Sequence, residues 1–191
     1  MADLIRPGQG ILFMKVGTHA QESLEDIINR KSREIEEAGF AMWGYGGATC
    51  HPQNAVQPFA REFQERGDPI YLCMEEMDSK HFAEQIRADE WSEDGHIWKP
   101  IPRGINVLGS RYALAIKKLH RDDFALSLRD TRVAIGNCLG RAGSEYIRGR
   151  VDKACLEVVP TDDLAVENRS IKISLVAELV EPFAVYLRNR S

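Results

Sequence analysis

The chain has 191 residues, of which 43% are hydrophobic and 28% are charged, and its formal net charge at pH 7 is −4. This composition is ordinary for a soluble globular protein, and the length fits one domain, 1–191, with a hydrophobic core. No apolar run approaches the roughly 18 residues of a membrane span, and residues 1–10 lack the regions of a signal peptide, so we expect a cytoplasmic protein without a membrane partner.

The first half of the chain predicts strands that alternate with helices. The helix expected after the first strand has a capping-box pattern, in which Thr18 is followed three residues later by Gln21. The expected elements are, in chain order, a strand over 11–16, a helix that begins at 18 and stops at 39, a strand over 40–43, a helix over 56–67, a strand over 69–74, a helix around 80–87 and a long surface loop over 88–102.

The second half of the chain is rich in predicted strands. They are expected over 105–108, 112–119, 132–136, 154–159, 171–179 and 183–187, and the segment 144–153 is either a short helix or a loop with one turn. The whole pattern predicts a single α+β domain with a mixed sheet, in which a β-α-β-α-β opening precedes a β-rich half. A doubly wound fold fits less well because the second half lacks long helices.

The stretch between residues 40 and 52 carries the strongest indication of a binding site. Here an apolar strand runs into aromatic residues, three glycines, a thiol and an imidazole. Glycine lets a ligand approach the backbone closely, and aromatic rings offer flat apolar faces. The substrate-binding residues expected from this stretch and from the loop over 88–102 are Trp43, Tyr45, Gly46, Gly47, His51 and Trp98. The alternatives are a tight turn with a packed tryptophan, a structural histidine and, for Trp98, an anchor that holds its loop to the core.

Carboxylates near the end of a buried strand are the candidates for catalysis. Glu75, Glu76 and Asp78 come directly after the strand that ends at residue 74, and Asp94 lies in the long loop. Carboxylates at a strand end are well placed to activate water or to stabilise a positively charged transition state. In the alternative interpretation, the first three form an exposed cluster that caps a helix.

Basic residues are concentrated in two segments of this acidic protein. The span 99–121 has six bases and no acid, and the span 141–153 has four more bases. Arginine side chains fit phosphate oxygens, so these segments predict contacts with phosphates. The residues expected to bind phosphate are Arg111, Arg141, Ser144, Arg148, Arg150 and Lys153. Alternatively, the acidic and basic segments face each other or are simply solvated.

The patterns of common cofactor and metal sites are missing from the sequence. It contains neither a GKS or GKT loop nor GxGxxG. The cysteines lack the short C-x₂₋₄-C spacing of structural zinc, and the H-x-E and P-C-x-x-C signature of zinc deaminases is missing as well. We therefore expect no metal and no cofactor, and four reduced cysteines that are mostly buried.

These features together favour an enzyme that acts on an unusual or modified base of a nucleic acid. In this hypothesis the base stacks on Trp43 or Tyr45, a carboxylate assists hydrolysis of the N-glycosidic bond, as in a DNA glycosylase, and basic residues hold the flanking phosphates. The alternative is a non-catalytic module that binds a modified base or a nucleotide in an aromatic cage. A third hypothesis is an enzyme acting on a small molecule unrelated to nucleic acid. A candidate carboxylate in the pocket of Trp43 and Tyr45 would favour the enzyme that acts on nucleic acid.

Overall fold

Strands and helices run from residue 10 to residue 188 in the computed structural model. It describes residues 6–19, 21–45, 53–81, 85–148, 151, 153–160 and 169–190, with the side chains of 53–55 and 79–81 excepted. The elements of these residues are, in chain order, β1 (Gly10–His19), α1 (Leu24–Ala38), β2 (Ala41–Gly44), α2 (Gln53–Glu65), β3 (Ile70–His81), β4 (Glu90–Ser92), β5 (Lys99–Pro100), β6 (Tyr112–Ser127), β7 (Thr131–Val133), α3 (Gly143–Tyr146), β8 (Lys153–Val158) and β9 (Ser170–Arg188).

The strands of the described residues form one mixed sheet. Its pairing order is β2-β6-β9-β3-β1-β8-β7, with β4 paired to β9 and β5 paired to β4. β1 and β3 are parallel, and the other pairs are antiparallel. The predicted α+β class, with its β-α-β-α-β opening and β-rich second half, is therefore confirmed.

Helix α1 begins later than the sequence predicts. Because β1 still pairs with β3 at Thr18, this residue belongs to the strand, and the predicted capping box of Thr18 and Gln21 is wrong. Instead, Ser23 Oγ accepts a hydrogen bond from the Asp26 amide at 3.2 Å, and the Asp26 carboxylate accepts one from the Ser23 amide at 3.3 Å. The helix ends as predicted at Gly39, which takes the left-handed conformation that glycine tolerates best.

Helices α1 and α2 cover the same face of the sheet. Their apolar side chains pack with those of β1, β2, β3, β6 and β9 in the largest core cluster. In α1 the buried positions include Leu24, Ile27 and Ile28, which lie on one side of the helix. Within the described ranges, no helix is both long enough and apolar enough to cross a membrane.

The sheet is strongly curved. Lys153 Nζ of β8 lies 5.7 Å from the centroid of the ring of Tyr45, which directly follows β2, although β8 and β2 are five strands apart in the pairing order. In a flat sheet, strands at that separation are about 24 Å apart, so their side chains would not meet. The curvature brings residues of distant strands together.

One predicted helix is wrong. In the described part of the segment 80–87, β3 continues to His81 by pairing with β1, and Arg87 forms an isolated bridge with Leu108. The local pattern in this segment is outweighed by the pairing with β1, which lies far away in the sequence.

The strand predicted over 105–108 is also wrong, apart from the single bridge at Leu108. Its alternating pattern has another cause, since Ile105 and Val107 pack against Met42 in a cluster on the sheet. The segment thus covers the sheet without pairing as a strand, and its polar residues face elsewhere.

Other predicted strands are present with different bounds. β6 runs past residue 119 to Ser127, and β9 joins the two strands predicted over 171–179 and 183–187. A shift in the pairing register between β6 and β9 absorbs the residues between Leu179 and Ala184. The predicted loop over 88–102 contains the short strands β4 and β5.

Candidate functional site

A cavity of about 270 Å³ lies where β1 and β2 end. It is bounded by the end of β1, by the first turns of α1, by the end of β2 and by the segment 106–110 that precedes β6. The pairings make β2 antiparallel to β1, so the two strand ends would lie at opposite edges of a flat sheet. The curvature of the sheet is therefore what makes them neighbours.

The aromatic wall of the cavity consists of Trp43 and Tyr45, both expected from the sequence. Trp43 is opposite Leu114 of β6, and the Tyr45 amide donates a hydrogen bond of 3.0 Å to the Tyr112 carbonyl. The two rings are only 5% and 2% exposed and belong to the main core, so each presents a small part of its surface to the cavity. The predicted pocket residues Gly46, Gly47 and His51 lie outside the described residues, as does Cys50.

Lys153 places a cationic group beside the aromatic wall. It is opposite Met14 of β1, so its side chain lies on the face of the sheet that carries the helices. Its Nζ is 5.7 Å from the centroid of the Tyr45 ring, within the range of a cation–π interaction. Among the described residues, no carboxylate forms an ion pair with this ammonium group. It is therefore available to an anionic ligand.

The described lining of the cavity carries more positive than negative charge. The cationic residues in the lining are Lys15, Arg30, Lys31 and Lys153, and the carboxylate is Glu22. Both carboxylate oxygens of Glu22 accept hydrogen bonds from Arg30, at 3.1 Å from Nε and at 2.5 Å from Nη2. Glu22 is therefore already paired with Arg30, and Glu34 pairs with Arg30 and Lys31, so the attraction of the cavity for an anion comes from Lys153.

A buried ion network fixes the wall formed by the segment 106–110. Glu34, which is 2% exposed, accepts hydrogen bonds from Lys31 Nζ at 3.0 Å, Arg30 Nη1 at 3.2 Å and the Asn106 amide at 3.0 Å. Lys31 and Arg30 also donate to the Asn106 carbonyl, at 2.6 Å and 2.8 Å. Because both backbone groups of Asn106 are bound to α1, the segment is held at a fixed distance from the helix.

No role was expected for the residues of this network from the sequence, because charged residues of a surface helix such as α1 are usually solvated. A signal was present nonetheless, since Lys31 follows the buried Ile27 by one helical turn. Burial lowers the pKa of Lys31 to about 8, although the nearby Glu34 carboxylate opposes this shift. The shift reflects how far the ammonium group is removed from water.

The structure does not place the candidate catalytic residues Glu75, Glu76 and Asp78 in the lining of this cavity. Glu76 and Asp78 line an open depression beside it, and the two hollows share residues of β1, α1 and β3. The Glu76 carboxylate accepts a hydrogen bond from Arg121 at 2.9 Å, and Arg121 also binds Glu25. Glu75 is half-buried and is opposite the cavity residue Lys15 in the pairing of β3 with β1.

Asp94 and Trp98 have structural partners in the loop between β4 and β5, and neither lines the cavity. The Asp94 carboxylate accepts hydrogen bonds from the Ile97 amide, the His96 amide and the Ser92 hydroxyl, at 2.8, 2.7 and 2.9 Å. These bonds lower the pKa of Asp94 to about 2. The Arg188 guanidinium lies 4.0 Å from the centroid of the Trp98 ring, in the arrangement expected of a loop anchor.

Of the candidate phosphate-binding residues that are described, only Lys153 lines the cavity. Arg111 is exposed and follows the lining residue Ser110, and Arg141 is 3.9 Å from Glu145. Ser144 is fully buried, and the exposed Arg148 donates to its carbonyl at 3.4 Å. Arg150 lies outside the described residues.

Two of the three described cysteines are buried, and the third, Cys138, is half-buried. Cys73 and Cys155 are buried, and burial raises the pKa of both thiols, that of Cys73 to about 12. A thiol with a raised pKa is a poor nucleophile at neutral pH. No group of three or more His, Cys, Asp or Glu residues in the described ranges is arranged to hold a metal ion.

Comparison with known proteins assigns this chain to no family. No protein-family model, curated protein or solved structure matches it. The cavity itself combines aromatic edges, an available ammonium group and a carboxylate that is neutralised by arginine. This arrangement suits the binding of a flat, anionic ligand better than the activation of water.

Proposed function

We propose that this chain binds a ligand that carries a nucleobase, and that the base enters the cavity lined by Trp43 and Tyr45. The observation that carries the proposal is the meeting of two aromatic rings with the Lys153 ammonium in one cavity. The exposed parts of these rings can pack against the flat apolar face of a base, and a nearby ammonium suits the phosphate of a nucleotide. The function is therefore that of a nucleotide-binding or modified-base-binding module.

The size of the cavity supports a small ligand. Its volume of about 270 Å³ is close to the lower end of small-molecule sites, which measure about 300–1,000 Å³. A single base with part of its sugar fits this space, whereas a base still paired in a duplex does not. If the ligand is a nucleic acid, its base has to leave the stack, which costs a few kcal/mol and is easiest for a damaged or unpaired base.

An enzyme that hydrolyses the N-glycosidic bond is the second candidate. It is favoured by the position of Asp78, an exposed residue of the depression that adjoins the cavity. A carboxylate there would lie beside the sugar of a base held by Trp43. Replacing Asp78 by Asn should then lower turnover by about 10²–10⁴-fold while base binding persists. Release of free base from oligonucleotides with modified bases measures this; equal release by both proteins excludes Asp78 as the catalytic carboxylate, and release by neither argues for the binding module.

Tryptophan fluorescence tests the binding proposal directly. The double variant Trp91→Phe/Trp98→Phe leaves Trp43 as the sole tryptophan, because the chain has three. Nucleosides, nucleotides and short oligonucleotides should quench its emission in a saturable way. The matched control is Trp43→Phe, which retains Trp91 and Trp98 and should show no change on titration. If none of these ligands alters the emission of Trp43, the proposal is wrong.

A further inference from the structure

Most bases of the segment 99–121 already have acidic partners among the described residues. Of the six bases in the span 99–121, four form ion pairs. The pairs are Lys99 with Glu93, Lys117 and Lys118 with Glu178, and Arg121 with Glu25 and Glu76. A polynucleotide would have to compete with these carboxylates for each base. The segment therefore does not form the row of available cations that follows a phosphate backbone.

The described bases without an ion pair are spread along the chain. Arg141 is 3.9 Å from Glu145, while the exposed residues that have no ion pair with a described residue are Arg6, Arg33, Arg61, Arg87, Arg103 and Arg111. The span 99–121 itself contributes two of them, about two phosphate contacts, where proteins with strong polynucleotide binding make about six to ten. The net charge of −4 opposes binding to a polyanion further.

Unlike most bases of the span 99–121, one cation of the cavity has no described acidic partner. Lys153 lines it without a described acidic partner, and its Nζ is held beside the Tyr45 ring. A ligand with one anionic group next to a flat ring would satisfy both side chains at once. Because the ammonium group is half-buried, its attraction to an anion is less screened by salt than that of a surface lysine.

We propose that the ligand is a free mononucleotide, whose phosphate binds Lys153 while its base contacts Trp43 and Tyr45. This inference rests on the proposed function and narrows its ligand class from any base-bearing molecule to a small anion. A base presented by a polynucleotide would bring several phosphates to a protein with a net charge of −4, in which most bases of the span 99–121 are already paired. A free mononucleotide brings its charge to the cavity alone.

Calorimetric titration with matched ligands tests the inference. The probes are the four common nucleosides, their 5′-monophosphates, inorganic phosphate and a single-stranded oligonucleotide of mixed sequence. We expect at least one monophosphate to bind about tenfold or more tightly than its nucleoside, because a hydrogen bond to a charged group adds strongly to affinity. We expect phosphate alone and the oligonucleotide to bind more weakly than that monophosphate.

The variant Lys153→Met tests whether Lys153 binds the phosphate. Monophosphate affinity should fall about tenfold, while nucleoside affinity should stay within about threefold of the original. Lys99→Met is the matched control, because the Lys99 side chain is 56% exposed, is 4.0 Å from Glu93 and lines neither the cavity nor the depression, and it should leave both affinities unchanged. A circular dichroism melt of each variant verifies that it is folded.

The outcomes separate this inference from the proposed function. If nucleosides and monophosphates bind equally, or if Lys153→Met lowers both affinities alike, the mononucleotide inference is overturned while base binding stands. The inference is also overturned if the oligonucleotide binds and the logarithm of its affinity falls with the logarithm of the salt concentration at a slope that corresponds to several phosphate contacts. If phosphate alone binds as tightly as the monophosphates, the base is not recognised, and if no probe binds, the proposed function fails together with this inference.

Discussion

Gly44 and Ser110 lie so close together that a side chain at position 44 has no room. A Cβ on Gly44 would be 2.5 Å from Ser110 Oγ and 3.3 Å from Ser110 Cβ. Gly44 is the last residue of β2, and Ser110 is two residues before β6. Both line the cavity, so their contact sets the distance between the aromatic wall and the segment 106–110.

Replacing Gly44 by Ala should therefore destabilise the protein and disturb the cavity together. We expect the free energy of unfolding to fall by about 1–3 kcal/mol, the usual cost of overpacking, and ligand affinity to fall with it. Urea denaturation and ligand titration measure the two effects. The double variant Gly44→Ala/Ser110→Ala lacks the Oγ atom and should recover part of both losses, whereas additive effects of the two substitutions would contradict the contact.

The buried network of Glu34 predicts that replacing Glu34 destabilises the protein more than replacing Lys31. Glu34→Gln leaves the buried Lys31 ammonium without its carboxylate and should cost about 3–5 kcal/mol of unfolding free energy. Lys31→Met should cost less, because Glu34 still accepts hydrogen bonds from Arg30 and the Asn106 amide. Denaturant unfolding of both variants checks the order, and the reverse order would show that the lysine is the more important partner.

The buried thiols predict a loss of stability at alkaline pH. The pKa of Cys73 is raised by burial from 9.0 to about 12, and burial raises that of Cys155 as well. Because the folded state keeps these protons more tightly, their contribution is complete below about pH 9 and is lost as pH rises toward 12. The free energy of unfolding should fall by up to about 1.4 kcal/mol per pH unit for each thiol.

The variants Cys73→Ala and Cys155→Ala isolate this effect. Each should show a shallower decline of unfolding free energy between pH 9 and 10.5 than the original protein, whatever its stability at pH 7. The lowered pKa of Lys31 acts in the opposite direction above pH 8, but it cancels in the comparison because all three proteins contain that residue. Identical slopes in the three proteins would rule the thiols out as the cause.

The lowered pKa of Asp94 predicts that only the loop around it loses its stabilisation as this carboxylate is protonated at acidic pH. Hydrogen bonds from the amides of Ile97 and His96 lower the pKa of this carboxyl from 3.8 to about 2. The stabilisation of the loop is therefore complete above about pH 4 and is lost as pH falls through 2. The NMR signals of these two amides should titrate with a midpoint near pH 2, and Asp94→Asn should abolish that titration. Ligand affinity at pH 7 should be the same in both proteins, and a large loss would place Asp94 in the binding site.

Local patterns predicted most of the elements but not their bounds. The capping box was expected at Thr18, although Ser23 and Asp26 offer an equivalent pattern nearby, and only the continued pairing of β1 with β3 decides between them. In the same way, the alternation of apolar residues over 105–108 predicts a strand, but in the structure the segment packs on the sheet without pairing as a strand. Short-range patterns do not specify which distant partner a segment meets.

The candidate site was predictable only in part. The aromatic residues Trp43 and Tyr45 and the basic Lys153 were all expected to contact a ligand, and they line the same cavity. Their common location was not predictable, because Lys153 belongs to a strand that lies far from β2 in the pairing order. The sequence left open whether Glu75, Glu76 and Asp78 enter this pocket; in the structure they lie within β3, and Glu76 and Asp78 line the neighbouring depression.

The sequence by itself determined the α+β class and the order of the opening elements, because hydrophobic periodicity and turn residues act over a few residues. It also determined which stretches are rich in aromatic, acidic or basic residues. Only the tertiary structure decided which charges are available, since Lys31 and Glu34 neutralise each other in the core and the surface bases meet acids from other strands. The cavity exists because a curved sheet and a buried ion network join segments that are distant in the chain, and such contacts depend on the whole fold.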